Sequence, residues 1–161
     1  MSQFVVAETS VSDPEVIIAA LVELGVNRDH IEVHEVPVVM QGYDSSDVRM
    51  AEIIVRKANI EAYYGDVGAT RYDSEGTKGE VFRFIVDDMD CKAQDSQGIC
   101  HGRVDRRWKT EAGGLANHLQ ARAGAIKSER VMRRMGFKNP QRKYRYDAQG
   151  RVNAIGVSAG R

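Results

Sequence analysis

Four groups of residues in this chain have types and spacings that could do chemistry. Asp87, Asp88 and Asp90 follow an apolar run that ends at Val86. Carboxylates gathered at a strand end can hold Mg²⁺ against a phosphate substrate, because hard cations take oxygen ligands. The plainer expectation is a strand ending in solvent, with the aspartates opening a loop. Cys91, Cys100 and His101 offer thiolates and an imidazole, which suit zinc. A structural zinc site wants four ligands and usually a close Cys-x₂₋₄-Cys pair; the Cys91–Cys100 interval is wider, and His118 would have to be recruited. An exposed redox-labile pair and an incidental polar loop are the other readings. Gly65-Asp66-Val67-Gly68 is not followed by Gly-Lys-Ser/Thr and opens no helix, so it reads as a bend into a strand and not as a phosphate loop. His30 and His34, four apart in a strand pattern, read as surface residues.

The fourth group is basic. On a helical projection of about 100° per residue, Arg122, Lys127, Arg130, Arg133 and Arg134 fall within about 140° of arc. Ala121, Gly124, Ala125, Ser128, Val131, Met132 and Met135 lie opposite, where small side chains could approach a sheet closely. Leu115, Leu119 and Ile126 share the arginine arc, so part of that face is expected to be buried. Lys138, Arg142, Lys143, Arg145 and Arg151 extend the basic surface, with Tyr144 and Tyr146 interleaved, a composition compatible with phosphate contacts and base stacking. Three readings stay open: a solvated face neutralised by the rest of the chain, contact with nucleic acid, or an acidic protein partner.

The charge distribution frames that choice. Residues 1–100 carry 8 Lys/Arg against 19 Asp/Glu, and residues 101–161 carry 15 against 4, although the 161-residue chain is formally neutral. It is one bipolar molecule, long enough to bury a core without disulfide or metal staples. No stretch reaches the roughly 20 apolar residues of a membrane helix, and no secretory signal is expected at the N-terminus. The expectation is a cytoplasmic protein with reduced cysteines.

The elements that must position these groups follow from periodicity. Gln3 to Ser10 suits a strand. Ser12 and Glu15 have capping-box spacing around Pro14, and an apolar stripe at Val16, Ile17, Ala20, Leu21 and Leu24 predicts a helix stopping at Gly25. Ile31 to Val36 alternates with period two and Ala51 to Val55 can return as its partner. Val67 to Tyr72 and Glu80 to Val86 flank a turn at residues 73–76, a helix runs from about Leu115 to Met135, and Gln141 to Tyr146 with Val152 to Val157 make a last hairpin. Two β-α-β-β units predict an α+β fold, with an antiparallel sheet and helices packed on one face. We expect a single domain over 1–161, with pseudo-repeat halves of about 1–60 and 61–161 and a polar loop or insertion at about 87–114.

Several short segments resemble the hypothetical chloroplast reading frame 35 family, also described as domain of unknown function 1257. They are the opening Met1-Ser2-Gln3-Phe4 strand and the helix ending Leu24-Gly25. Gly42-Tyr43, Ala51-Glu52, Gly65-Asp66-Val67-Gly68 and Val86-Asp87 follow, and then a helix with Leu119-Gln120-Ala121-Arg122 leading to Gly136-Phe137. The chain departs from that pattern in a longer polar segment between Asp88 and Gly114 and in a more basic second helix without aromatics near Ala123 and Ala125. The resemblance implies a bacterial or phage member, an α+β fold, a cytosolic or stromal setting and an AAA-type ATPase as partner. It supplies no catalytic residue.

The sequence therefore predicts a non-enzymatic binding or accessory module, acting through its basic C-terminal surface on nucleic acid or an acidic protein, with no cofactor. A metal-dependent phosphate-handling enzyme using Asp87, Asp88 and Asp90, and a self-associating structural subunit, are the opposing classes.

Overall fold

Local chemistry sets the first helix. In the structure, a computed structural model that describes residues 3–43, 47–60, 62, 64–91 and 114–160, α1 spans Pro14–Glu23. Its N-cap is Asp13, whose Oδ1 accepts the N–H of Glu15 at 2.9 Å, so an aspartate cap replaces the expected Ser12–Glu15 box. Proline follows at the first helical position, where an N–H would have no intrahelical acceptor. The helix closes in a Schellman motif: the N–H of Val26 reaches the Leu21 carbonyl at 3.1 Å and that of Gly25 the Val22 carbonyl at 2.9 Å.

Five strands, β1 (Phe4–Glu8), β2 (Ile31–Val39), β3 (Met50–Val55), β4 (Val67–Tyr72) and β5 (Lys78–Asp87), form one antiparallel sheet in the order β1-β5-β4-β3-β2. Short helices α2 (Lys57–Ile60) and α3 (Asp88–Cys91) sit between strands or after them, and α4 runs over Gly114–Arg134. Strand alternation sorts the side chains. Phe82, Phe84 and Val86 of β5, Ile53 and Val55 of β3, and Val67 and Ala69 of β4 pack with Ile17 and Leu21 of α1 and Leu115, Leu119, Ala123 and Ile126 of α4. A smaller cluster of Phe4, Met40, Ala51, Ile54 and Ile85 covers part of the opposite face. There Gly68 allows a close approach that no other residue could: a Cβ would lie 2.6 Å from the Met40 sulfur and 2.9 Å from the Ala51 Cβ.

The α+β class, the antiparallel pairing and the helices on one face are all present. The last hairpin departs from the expectation that both β-α-β-β units build one antiparallel sheet. β6 (Gln141–Tyr146) and β7 (Val152–Ser158) form a separate two-stranded sheet, seated on α4 through β7. The reason lies in α4 itself. At 21 residues it outruns the sheet; none of its side chains after Ile126 is buried, and the hairpin packs along it instead of extending an edge at β1 or β2.

Candidate binding interface on the last helix and hairpin

The sequence expectation for the faces of α4 is reversed. Its core face is the arc holding Leu115, Leu119, Ala123 and Ile126. At about 100° per residue Arg122, Lys127 and Arg134 flank that stripe, while Arg130 and Arg133 continue it beyond Ile126, where the helix has run past its buried residues.

Part of the basic set is put to structural use. Arg142 on β6 reaches both Glu129 of α4 and Glu23 of α1: its Nε donates to Glu129, and its Nη2 donates to Glu23 Oε2 at 2.8 Å. Its side chain is only 18% exposed. The Glu23 carboxylate above all, and then Glu129, hold its guanidinium even more firmly protonated than usual, against the effect of burial. Arg122 lies 3.7 Å from the same Glu23, and its Nη1 donates to the Tyr144 hydroxyl at 3.3 Å. Lys127 donates to the Ser10 carbonyl at 2.6 Å, and Arg130 lies 3.7 Å from Asp13. Four of the nine predicted binding cations thus fasten α4 and the hairpin to the first half. This is the neutralising contact between the two poles.

The other five stay available. Arg133, Arg134, Lys138, Lys143 and Arg145 are exposed and make no ion pair among the described residues. Arg133 and Arg134 sit in the last turn of α4, where cations complement the negative end of the helix dipole. Lys143 and Arg145 pair in register with Gly156 and Ala154, on the hairpin face opposite Arg142 and Tyr144, which turn toward α4. Strand alternation therefore separates Tyr144 from these two cations, and its ring lies under Arg122, 5.7 Å from the guanidinium carbon. The expected interleaving of tyrosine and cation for base stacking does not form around Tyr144.

The small-residue face of α4 is open apart from Ala125, which is buried. It floors a groove of about 610 Å³, with Ala121, Gly124 and Ser128 beneath Val131, Met132 and Met135, and with Phe137 and Ile155 as further walls. Met135 is 69% exposed. Sequence reasoning missed Phe137 and Ile155, but the first was signalled. Gly136 adopts φ +89, a left-handed conformation that favours glycine, and closes α4 in a second Schellman motif. The Gly136 N–H meets the Arg133 carbonyl at 3.1 Å and the Phe137 N–H meets that of Met132 at 3.0 Å. This motif brings the residue after glycine back over the last turn, which places Phe137 beside Met132. Ile155 had no such signal; it arrives through the hairpin.

The aspartates do something other than expected. Asp87 and Asp90 are buried, not solvent-facing. Asp90 accepts the N–H of Gly65 at 3.0 Å and of Tyr64 at 3.1 Å, Asp87 that of Met89 at 2.9 Å, and Asp88 that of Gln3 at 2.9 Å. Carboxylates that accept backbone N–H groups cap loops. No three His, Cys, Asp or Glu side chains gather as a metal cluster among the described residues. Cys100 and His101 lie outside the described residues; Cys91 closes α3. Asp66, fully buried, ties three segments: it accepts from the N–H of Gln41 at 2.7 Å and of Lys57 at 2.8 Å and from Arg56 Nη1 at 3.0 Å. Arg56 also grips Glu32, at 2.7 Å through Nε, and holds that carboxyl below its ordinary range; His34 joins Glu32 at 2.9 Å.

His118, expected only as a possible fourth zinc ligand, is one of the buried residues of α4 itself. Burial, and secondarily the Arg122 cation, push its imidazole down to about 4.

A second groove, of about 720 Å³, crosses the helix-free face of the sheet between Val6, Val36, Met50 and Tyr72. Its two arginines are already engaged: Arg83 donates to the Tyr72 carbonyl at 2.7 Å and Arg49 to Asp47 at 2.9 Å. Among the described residues no helix is long and apolar enough to cross a membrane. Comparison with protein-family models, with curated proteins and with solved structures finds no match to this chain.

Proposed function

We propose that the protein is a binding module whose C-terminal pole, the end of α4 with the β6–β7 hairpin, docks an acidic protein. The observation that carries this is the division of the cations. Arg122, Lys127, Arg130 and Arg142 hold the pole in place, and Arg133, Arg134, Lys138, Lys143 and Arg145 are exposed and make no ion pair among the described residues. Exposed like charges of this kind steer an oppositely charged partner and set the salt dependence of binding. An acidic polypeptide fits better than nucleic acid, because Tyr144 faces the helix with Arg122 over its ring, away from Lys143 and Arg145, which leaves the exposed Tyr146 as the one tyrosine of β6 without a cation over its ring among the described residues. The family resemblance adds an AAA-type ATPase as one source of such a surface. A metal-dependent activity has less support, since oxygens of Asp87, Asp88 and Asp90 already accept backbone N–H groups.

The test is binding of fluorescent polyglutamate and of a mixed single-stranded RNA at two salt concentrations, to the native protein and to an Arg133→Glu/Arg134→Glu/Lys138→Glu variant. The reading expects polyglutamate binding that weakens with salt and disappears in the variant, whose melting temperature falls by only a few degrees as two charges at the helix C-terminus are reversed. Equal binding by the variant refutes it, and tighter binding of RNA than of polyglutamate gives the surface to nucleic acid.

A further inference from the structure

We infer that the free edge of β7 receives a strand of the acidic partner, an extended segment alternating apolar with acidic residues and laid along the groove over α4. This rests on the proposed acidic partner and specifies its form. The edge, the bed beside it and the charges above it all bear on the occupant.

Among the described residues β7 pairs with β6 alone, so one row of its N–H and C=O groups has no strand opposite. Sheets guard such edges with charge, proline, bulges or a covering segment. On β2, Glu32, Glu35 and Pro37 accompany a break in register between Val33 and Val38. On β1, Asp47 accepts the Phe4 N–H at 2.7 Å and Gln120 donates to the Glu8 carbonyl at 2.6 Å. β7 has neither charge nor proline in its seven residues, and its register is regular from Ala154 to Ser158. A two-stranded sheet is marginal by itself, so a third strand adds pairing where it is scarce.

On the α4 side of that edge lies the groove, with Ile155 and Met132 among its walls and Gly124 and Ser128 on its floor. A Cβ built on Gly124 meets nothing within 4 Å. Alternate residues of an added strand point to this side, where an apolar row meets small side chains and a methionine that repacks around it. Strand addition takes affinity from main-chain hydrogen bonds and specificity from such alternate side chains. The β6 edge offers no such bed: on the α4 side it carries Arg142 with Glu23 and Glu129, whose carboxylates oppose an acidic strand.

The other residues of the added strand point outward, to the side of Lys143 and Arg145. The register partners of these cations on β7 are Gly156 and Ala154, and a Cβ on Gly156 would meet only the Lys143 carbonyl, at 3.9 Å. Across residues this small the cations can lean over β7 toward the next strand, about 10 Å from β6 at about 4.8 Å per strand. Acidic side chains there complement them, and a helix in the same place would leave the β7 edge unpaired.

The probes are peptides of equal length: alternating Glu and Val, the same composition in two blocks, polyglutamate, and two copies of the alternating peptide N-methylated on every Val or on every Glu. In an added strand one of those two rows of N–H groups faces β7 and the other faces away. The native protein should prefer the alternating peptide to the block peptide and to polyglutamate by about tenfold or more, and one N-methylated copy should lose that preference while the other keeps it. Binding should slow hydrogen exchange at amides of Val152–Ser158. Lys143→Gln/Arg145→Gln should weaken the alternating peptide by about fivefold, the worth of two solvated ion pairs. If the alternating and block peptides bind alike, or the two N-methylated copies behave alike, the strand assignment is overturned while salt-sensitive polyglutamate binding still upholds the electrostatic reading. A dimer in light scattering that the alternating peptide dissociates also overturns it, giving the edge to a second copy. Failure of every acidic probe to bind overturns both.

Discussion

Replacing Arg142 with methionine should loosen the hairpin from the helices while keeping most of the apolar stem that packs there. The guanidinium bridges α1, α4 and β6 with charge-assisted hydrogen bonds to Glu23 and Glu129. Glu129 is 14% exposed, and losing its cation leaves a half-desolvated carboxylate, whereas Glu23, 34% exposed, keeps Arg122 nearby at 3.7 Å. Fully buried pairs cost about 3–5 kcal/mol to break, and surface pairs about 0–1. A site shielded as Arg142 is lies between, at about 2–3 kcal/mol, close to the value of a hydrogen bond to a charged group. For a chain of this size that is a fall in melting temperature of roughly 4–12 °C if unfolding is all-or-none. Hydrogen exchange should show amides of Gln141–Tyr146 and Val152–Ser158 losing protection before those of the five-stranded sheet, since the hairpin is a separate sheet seated on α4 through β7. Adding Glu129→Gln removes the stranded charge, so the double variant should be more stable than the sum of the two single losses. A melting temperature within 1 °C of native together with unchanged hairpin protection would refute the account of Arg142 as the fastening point.

Two other perturbations follow from buried ionisable groups. His118 is held near 4 in the fold against about 6.5 unfolded. As pH falls below the unfolded value, only the unfolded chain gains the proton, so its stabilising contribution is complete above about 6.5 and is lost toward 4. Between pH 7 and 5 the loss should approach about 2 kcal/mol, and His118→Leu should flatten the urea midpoint over that interval; an equally steep profile in the variant removes His118 as the cause. Asp66→Ala strips acceptors from Gln41, Lys57 and Arg56 at a fully buried position and should cost roughly 2–4 kcal/mol in urea unfolding. Arg56 retains Glu32, so a larger loss is not expected, and no loss would mean that the three segments are held by packing alone.

Local periodicity was enough for the elements. Val67–Tyr72 and Gln141–Tyr146 fall where the alternation put them, and α4 begins and ends within a residue of the expected helix, because apolar spacing and the Gly136 stop act over a few residues. The α+β class followed, since amphipathic helices among strands bury their apolar faces most simply on an antiparallel sheet; the expected pair of β-α-β-β units on one sheet did not, because the second half runs β4-β5-α3-α4-β6-β7 and its last hairpin forms a sheet of its own. The faces of α4 were not legible. Its arginine arc also holds Leu115, Leu119 and Ile126 and its opposite arc holds Met132 and Met135, so both are partly apolar. Burying leucine and isoleucine against Phe82 and Phe84 decides between them only once those residues share a core. The roles of the aspartates were hidden for a related reason. Asp66 and Asp90 meet backbone N–H groups of segments far away in sequence or in other loops, and nothing in their neighbours announces such a partner. The charge split was visible from composition; which cations close the molecule and which remain for a partner depends on distances between α1, α4 and β6, and those exist only after the chain has packed.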